Sequence, residues 1–523
     1  MTGLERRVSE QTESHPILRR YLTPFYGFTL GLALILAIVA IILRPIPAPQ
    51  GVDSPPVTPA QTVIPGGGNN QAIGNSTPTP PASVPSTPDE NIPSPLGVAV
   101  AELNGLQVTM WYPWSGPTGA VFQALLDEFN RSNSWGIKVN SNSFEDYGRL
   151  DEAVESALNT NPPPDAPSPL PDVIVDYGYA ARHWDNNQAL LDLTPYVNDP
   201  IWGLTSEEQA DFFQGFWEED LIPDGGTATV RRLGIPFYRS AYVIFYNQGW
   251  ASELGYSAPP AKPEEFREQA CAAADYLARQ EGKSEPRRGG YLVTSQGGAM
   301  AGWIYAFAGN ITDPGMEKYL FNTPETASAL QFLKDLQESG CAWAETGINP
   351  HSEFASRHAL FMVGSLFDMA AQEQAFTQAS SSDKWAVIPF PSHHQPVVDT
   401  YGPSLFINRS SPAEQLAAWL VIKWLVEPTH QVRWSEVLQV YPVRLNAMDQ
   451  LSRASNPNPQ WAGALDLLPD AHAEPNLVSW SMMRWVLEDA MTQLFDPQFD
   501  GAQIPDMLTN LDSVAAEILS QVH

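Results

Sequence analysis

The sequence predicts an α/β fold arranged in lobes, held behind a membrane span and a linker. Three observations carry that expectation. Over about 420 residues, short β-branched and aromatic runs alternate with amphipathic helical patterns, the signature of sheets covered by helices. The run Phe25–Leu43 contains no charged residue and is close to the length that spans a hydrocarbon core. Residues 45–97 are mostly Pro, Ser, Thr, Gly and Asn, with no apolar periodicity, so they cannot bury enough surface to offset their ordering entropy.

Taken in order, residues 1–24 are polar and carry Arg6, Arg7, Arg19 and Arg20, whereas only Arg44 follows the apolar run closely. The positive-inside bias places 1–24 in the cytoplasm, makes 25–43 a transmembrane anchor helix and puts the remainder outside the cell membrane. A cleaved signal peptide is the competing reading, but the run exceeds the usual apolar core of such a peptide and no clear A-x-A site follows. The 45–97 segment is then a disordered tether.

The globular part, 104–523, opens on Leu106–Phe122, a strand, a Gly-bearing turn at Ser115–Gly119 and a helical pattern over Val121–Phe129. Trp111, Tyr112 and Trp114 cluster at the strand's carboxyl end, where ligands bind in open α/β sheets. Gly136–Asn140 reads as a second strand and Leu150–Leu158 as a helix. The strand Val173–Val175 runs into Asp176, Tyr177 and Tyr179. Leu233–Tyr246 is long enough, as one extended run, to pass from one lobe to another. Phe266–Leu277 is an amphipathic helix, Gly289–Thr294 a strand and Ala299–Gly309 a buried helix. Thr323-Pro324 starts a helix that Ser339-Gly340 stops. Trp385–Pro389 is extended and Val398–Asn408 holds a strand. Ser411-Pro412-Ala413-Glu414 has capping-box spacing before the helix Ala413–Val426, and Trp480–Leu487 and Ile504–Leu519 close the chain as helices.

Composition excludes several functions. A formal charge of -31 disfavours nucleic acid and anionic lipid as partners. With only Cys271 and Cys341 there is no zinc ribbon or iron–sulfur set, and outside the cytoplasm the two can form one disulfide. Adjacent acids such as Glu218 and Glu219, or Asp151 and Glu152, supply no acid and base at fixed geometry. His393 and His394 lack a third metal ligand, and no G-x-S-x-G, H-E-x-x-H or phosphate loop occurs. We therefore expect neither an enzyme, nor a metal site, nor a cofactor.

The ordered segments resemble those of the extracellular solute-binding protein family 1, the maltose-binding-protein-like receptors of ABC importers. The carriers are VTMWYPWSG, PDVIVD (Pro171–Asp176), GIPFYRSAYVIFYNQGWASELG (Gly234–Gly255), PEEFREQA (Pro263–Ala270), FNTPETASALQFLKDL (Phe321–Leu336), FASRHALFMVGS (Phe354–Ser365), WAVIPFPS (Trp385–Ser392), YPVRLNA (Tyr441–Ala447) and the pair Trp480 and Arg484. The resemblance implies a two-lobed periplasmic-binding-protein-like fold with a hinge of crossing strands. One lobe would be about 104–237 plus 395–440 and the other about 242–388 plus 443–523, with crossings near Tyr238–Ala241, Pro389–Pro396 and Tyr441–Val443. It also implies ABC permease subunits as partners and a small-molecule solute, most simply a carbohydrate, as ligand. Aromatic faces stack on sugar C–H groups, and carboxylates, amides and guanidiniums hydrogen-bond the hydroxyls. Carried over residue by residue, the ligand-binding set is Trp111, Trp114, Asp176, Tyr177, Trp480 and Arg484. Glu145, Trp303 with Tyr305, Tyr401, Tyr238 and Gly402 join it on looser matches. Few Lys or Arg lie in these segments, which favours a neutral ligand over an anionic one. A membrane-tethered sensor with the same fold is the alternative role; an extracytoplasmic carbohydrate-active enzyme is a more remote one.

Overall fold

In the computed structural model, which describes residues 94–160, 168–223, 230–280, 288–294, 296–344, 347–453 and 458–521, the strands fall into two main sheets. The expected cytoplasmic segment 1–24, the anchor 25–43 and the linker up to residue 93 lie outside the described residues. Among the described residues no helix is long and apolar enough to cross a membrane. The described chain begins on the domain itself: the Ser94 hydroxyl donates to Asp199 at 2.7 Å, and Val98 and Leu103 are buried.

The first sheet has the order Lys138–Ser143, Gln107–Tyr112, Val173–Asp176, Ser404–Ile407, Gly234–Pro236. Its first three strands are parallel, and Ser404–Ile407 runs antiparallel to both neighbours. In the opening strand Val108, Met110 and Tyr112 point inward, as alternation requires. The helix Gly116–Ser132 follows, with Pro117 in its first turn. Gly119 is required there, since a Cβ would sit 2.6 Å from the Trp114 carbonyl oxygen. Helices Pro412–Leu425 and Pro428–Leu438 complete this lobe, the former behind the expected Ser411–Glu414 capping box. Its all-round apolar character matches its burial against the sheet.

The second sheet has the order Ala471–Ala473, Val398–Tyr401, Tyr238–Tyr246, Ala359–Ser365, Gly289–Leu292, Ala342–Trp343. All nine residues of Tyr238–Tyr246 are buried, and Ala386–Ile388 and Tyr441–Pro442 also pair with this strand. The helices Pro263–Gln280, Gly297–Ala306, Pro324–Glu338, Trp480–Leu494 and Ile504–Gln521 pack a second core against one face.

Three connections join the lobes, and one differs from expectation. Val398–Tyr401 belongs to the second sheet, so the middle crossing falls at Gly402-Pro403 rather than near Pro389–Pro396, and 395–401 is not part of the first lobe. The cause is local. A Cβ at Gly402 would stand 2.3 Å from the Tyr238 carbonyl oxygen, so only glycine lets the two crossing strands meet there. Gly402, expected to allow close approach of a ligand, borders the cleft cavity and also admits the neighbouring backbone. At the same point the Phe237 amide donates to the Pro403 carbonyl at 3.1 Å.

Cys271, in the helix Pro263–Gln280, is bonded to Cys341, just ahead of Ala342–Trp343. The bond closes a sequence separation of 70 residues between a surface helix and a sheet edge. Replacing both cysteines with serine is expected to lower unfolding stability by about 2–4 kcal/mol in non-reducing buffer, read by denaturant titration. An unchanged midpoint would show that the crosslink does not constrain the unfolded chain.

Candidate functional site

The two sheets present their facing ends to a cleft walled chiefly by tyrosine. From the first lobe, Asp146 caps the helix Tyr147–Leu158 by accepting the Arg149 amide, which sets Tyr147 4.5 Å, ring to ring, from Tyr177 at the end of its strand. Tyr177 stacks in turn on Tyr179 at 5.1 Å. Trp114 lies 5.9 Å from Tyr238, at the start of the crossing strand. From the second lobe, Tyr242 and Tyr401 stack at 4.9 Å. The Arg484 guanidinium lies 5.2 Å from the Tyr401 ring centre, and its Nη2 donates to the Tyr242 hydroxyl at 2.7 Å. Glu474 is 3.5 Å from Arg484 and accepts the Trp480 indole N–H at 2.9 Å.

The lobes touch directly across this cleft. Asn476 of the second lobe donates its Nδ2–H to the Glu219 carbonyl of the first at 2.8 Å. Its carboxamide also lies over Gly178, where a Cβ would approach within 2.8 Å. The cavity left between them is small, about 30 Å³, and is bounded by Tyr177, Tyr179, Glu219, Arg239, Tyr401, Glu474 and Trp480. It continues outward past Arg182, Tyr305 and His472. A larger groove beside Gln331, Phe332 and Pro505 is lined from the second lobe alone and lies away from the crossing strands.

Burial governs the electrostatics. Arg239 is 1% exposed; its Nε donates to Glu219 at 2.9 Å, its Nη1 to the Tyr238 and Pro403 carbonyls, and its Nη2 to the Ser404 hydroxyl. Even so, desolvation outweighs the attraction of Arg239 and pushes Glu219 up to about 7. Glu474 is raised by the same cause despite Arg484, and Asp399 is raised well above the carboxylate range by burial and by Glu474. Asp176 is raised well above its ordinary value by burial and by Asp151, and burial takes Asp151 to about 6. Burial also raises the Tyr147, Tyr177, Tyr179 and Tyr242 phenols well above 10, so they stay neutral hydrogen-bonding groups.

Of the residues expected from sequence, Tyr177, Tyr401, Trp480 and Arg484 converge on the cleft, with Trp480 and Arg484 one helical turn apart. Trp114 and Tyr238 stand at its first-lobe side. Tyr112 is buried behind Trp114 against Phe122, and Trp111 packs half-buried on Phe144 at 4.9 Å. Asp176 is fully buried, with its Oδ1 accepting the Tyr177 amide and Asp151 beside it. Two expectations fail. Trp303 is fully buried in the second lobe's core, its indole N–H donating to Tyr291, because every residue of that helix faces protein. Glu145 is exposed and pairs with Arg149 at 2.9 Å, its backbone at φ 72° turning it out of the strand end. Tyr305, by contrast, reaches the outer cleft, stacked on His472 at 3.8 Å.

Sequence reading missed Tyr147, Glu219, Arg239, Tyr242, Glu474 and Asn476. Arg239 and Tyr242 lay inside the quoted crossing run, where a polar residue interrupting an apolar strand was a usable signal. Glu219 looked like half of an ordinary solvated acid pair, and the irregular stretch around Glu474 and Asn476 offered no local pattern.

A family model described as bacterial extracellular solute-binding protein matches residues 124–462. A probable ABC transporter-binding protein of Deinococcus radiodurans is 25% identical over 251 residues, 44% of this chain and 57% of the relative, so the chain spans little more than half the length of that relative. Among solved structures, the sugar-binding protein MalE of Xanthomonas citri superposes with a TM-score of 0.65 at 20% identity, over 79% of this chain and 98% of that one. The cyclic alpha-maltosyl-1,6-maltose binding protein of Arthrobacter globiformis gives 0.63 at 19%, over 80% and 99%. UgpB of Mycobacterium tuberculosis, solved with glycerophosphocholine, gives 0.59 at 20%, over 79% and 98%. These likenesses establish the two-lobed periplasmic-binding-protein-like fold.

The buried acids fix the direction of the domain's pH response. Asp151 holds its proton more tightly folded than unfolded, so its contribution to stability is full below about pH 4 and is lost as pH rises through about 6. Melting temperature is expected to fall between pH 4.5 and 7.5. Asp151→Asn should recover roughly 2 kcal/mol at the upper end while changing little at the lower. A parallel pH profile in the variant would show that the acid pair does not set the slope.

Proposed function

The chain belongs to the bacterial extracellular solute-binding protein family, and we propose that it is the receptor of an ABC importer, capturing a sugar or oligosaccharide between its lobes and presenting it to the permease. The observation that carries this reading is the composition of the cleft: rings and hydrogen-bonding groups from both lobes meet across it, while only crossing strands join the lobes. Tyr177 and Tyr401, one from each lobe, offer flat faces to a pyranose. The phenols, Glu219, Glu474 and Asn476 offer polar atoms to its hydroxyls. Such a ligand drives closure because it touches both lobes at once only in the closed state. That some relatives are sugar-binding proteins supports a carbohydrate. The family and the solved relatives are binding proteins, which supports capture over turnover.

The ligand set we propose is Tyr177, Tyr401, Trp480 and Arg484 with Trp114 at the rim. We further propose that residues 25–43 anchor the chain in the cell membrane, with the domain outside and 45–93 as its tether. Removing residues 1–93 should move the protein from the membrane to the soluble fraction without changing ligand affinity; retention in the membrane pellet would disprove the anchor.

Thermal-shift titration with mono- and oligosaccharides tests the ligand. A sugar present at about 100 times its Kd should stabilise the protein by about 2.7 kcal/mol. Tyr177→Ala and Tyr401→Ala should each weaken that sugar about tenfold or more, with the unliganded melting temperature nearly preserved. If no saccharide shifts the melt, the carbohydrate reading is wrong.

A further inference from the structure

Resting on the proposed receptor role, the distribution of free hydrogen-bonding atoms in the cleft narrows the ligand further. The two guanidiniums nearest the cavity are both paired inside the protein, and Arg239 has each of its nitrogens engaged. Arg239 delivers its N–H groups to Glu219, two backbone carbonyls and Ser404, and Arg484 faces Tyr242 and Glu474. The remaining nitrogen donors of the lining side chains, Asn476 Nδ2 and Trp480 Nε1, are also engaged, with the Glu219 carbonyl and with Glu474.

The acceptors are not spent. Glu474 takes both Arg484 and Trp480 on Oε2, leaving Oε1 without a partner. Glu219 takes Arg239 on Oε2 and leaves its own Oε1 free. Asp220 Oδ2 and Asn476 Oδ1 are free as well, and all four residues line one cavity. The Glu474 side chain is 6% exposed and Asp220 3%, so these orphaned atoms are buried ones. Around them stand the rings of Tyr177, Tyr179, Tyr401 and Trp480. In the outer cleft Arg182 faces Asp185 and leaves its Nε without a partner, and Glu218, Glu219 and Glu474 line the same space.

A cavity whose unpaired buried side-chain atoms are all acid or amide oxygens, set beside aromatic faces, matches a group that donates and is positively charged. A sugar hydroxyl brings one donor and two lone pairs but no charge to set against these acids. An ammonium brings three donors, no acceptor and a charge that aromatic faces attract. We propose that the ligand carries a protonated amine, held between Glu219, Asp220 and Glu474, so that the solute is an amine-bearing saccharide rather than a neutral one.

Isothermal titration of the full chain with glucosamine and its β-1,4 dimer, alongside glucose, N-acetylglucosamine and putrescine, tests this. The amino sugars are expected to bind about tenfold or more tightly than their neutral counterparts, the scale of a charge-assisted hydrogen bond. That preference should fall as pH rises through deprotonation of the amine. Glu474→Gln and Asp220→Asn should each shrink it to a few-fold, and an unliganded melting temperature close to that of the parent protein reports that each variant is folded. Neutral sugars binding as tightly as amino sugars would overturn the amine assignment and leave the sugar receptor standing. Putrescine binding without any saccharide would uphold the cationic site and remove the carbohydrate. An unchanged preference in both variants would overturn the placement of the amine.

Discussion

Arg239 is the interaction on which the rest of the molecule depends. It sits where the first-to-second-lobe strand begins, and from that point it holds the Tyr238 and Pro403 carbonyls, the Ser404 hydroxyl and Glu219. Tyr441–Pro442 pairs with Arg239 and Tyr238 on the same strand, so all three connections between the lobes converge within a few residues. A guanidinium buried this deeply is tolerable only with every donor engaged and a carboxylate alongside, and removing one partner of such a pair costs about 3–5 kcal/mol. The three connections are therefore tied to one another at a single buried point.

The same group binds hinge to cleft. Glu219, which completes the Arg239 shell, also receives the second lobe's Asn476 through its backbone carbonyl and offers Oε1 to the cavity. A ligand atom that engages Glu219 thus acts on the residue whose partner organises the axis and whose backbone is the latch. Gly178 permits this latch, since any larger residue would hold the Asn476 carboxamide away. Closure consequently needs no long-range relay. On the proposed receptor role, the contacts between the lobes and those to the ligand would lie on the same few side chains, and the ligand would select the closed state by its differential contacts alone.

How far the sequence was legible follows from the range of the forces involved. Elements specified locally were readable: the capping box at Ser411–Glu414, the Thr323-Pro324 start, and the strand–turn–helix at Gln107–Ser132 all rest on neighbours within a few residues. The extended run through Tyr238 announced a crossing because it is too long for one small sheet. The middle crossing was misplaced because Val398–Asn408 was read as one stretch, whereas the close approach of Gly402 to Tyr238, about 160 residues away, marks where it divides between two sheets. Trp303 failed for a related reason. An aromatic in a small-residue helix reads equally as core or as cleft, and the choice belongs to Phe266, Phe332 and Phe390, which arrive from three other elements. Tyr177, Trp480 and Arg484 were reachable through strand-end position and helical spacing, whereas Glu474 and Asn476, on irregular backbone, were not.

The charge character of the cleft shows most clearly what a sequence count leaves out. Counting Lys and Arg in the cleft segments gives few, and the natural reading is a neutral ligand. What a ligand meets, however, is the set of atoms left after internal pairing, not the set of residues. Arg239 is consumed by the hinge and Arg484 is turned toward Tyr242 and Glu474, while each carboxylate they hold retains a second oxygen. Pairing therefore subtracts donors faster than acceptors, because one guanidinium saturates on several oxygens whereas a carboxylate has a whole oxygen to spare. Desolvation then raises the pKa of the remaining acids, as at Glu219 and Glu474, and that rise measures how poorly the protein alone solvates them. Such a site binds best whatever brings positive charge and N–H donors into it, and a proton fills that role only until a ligand does so better.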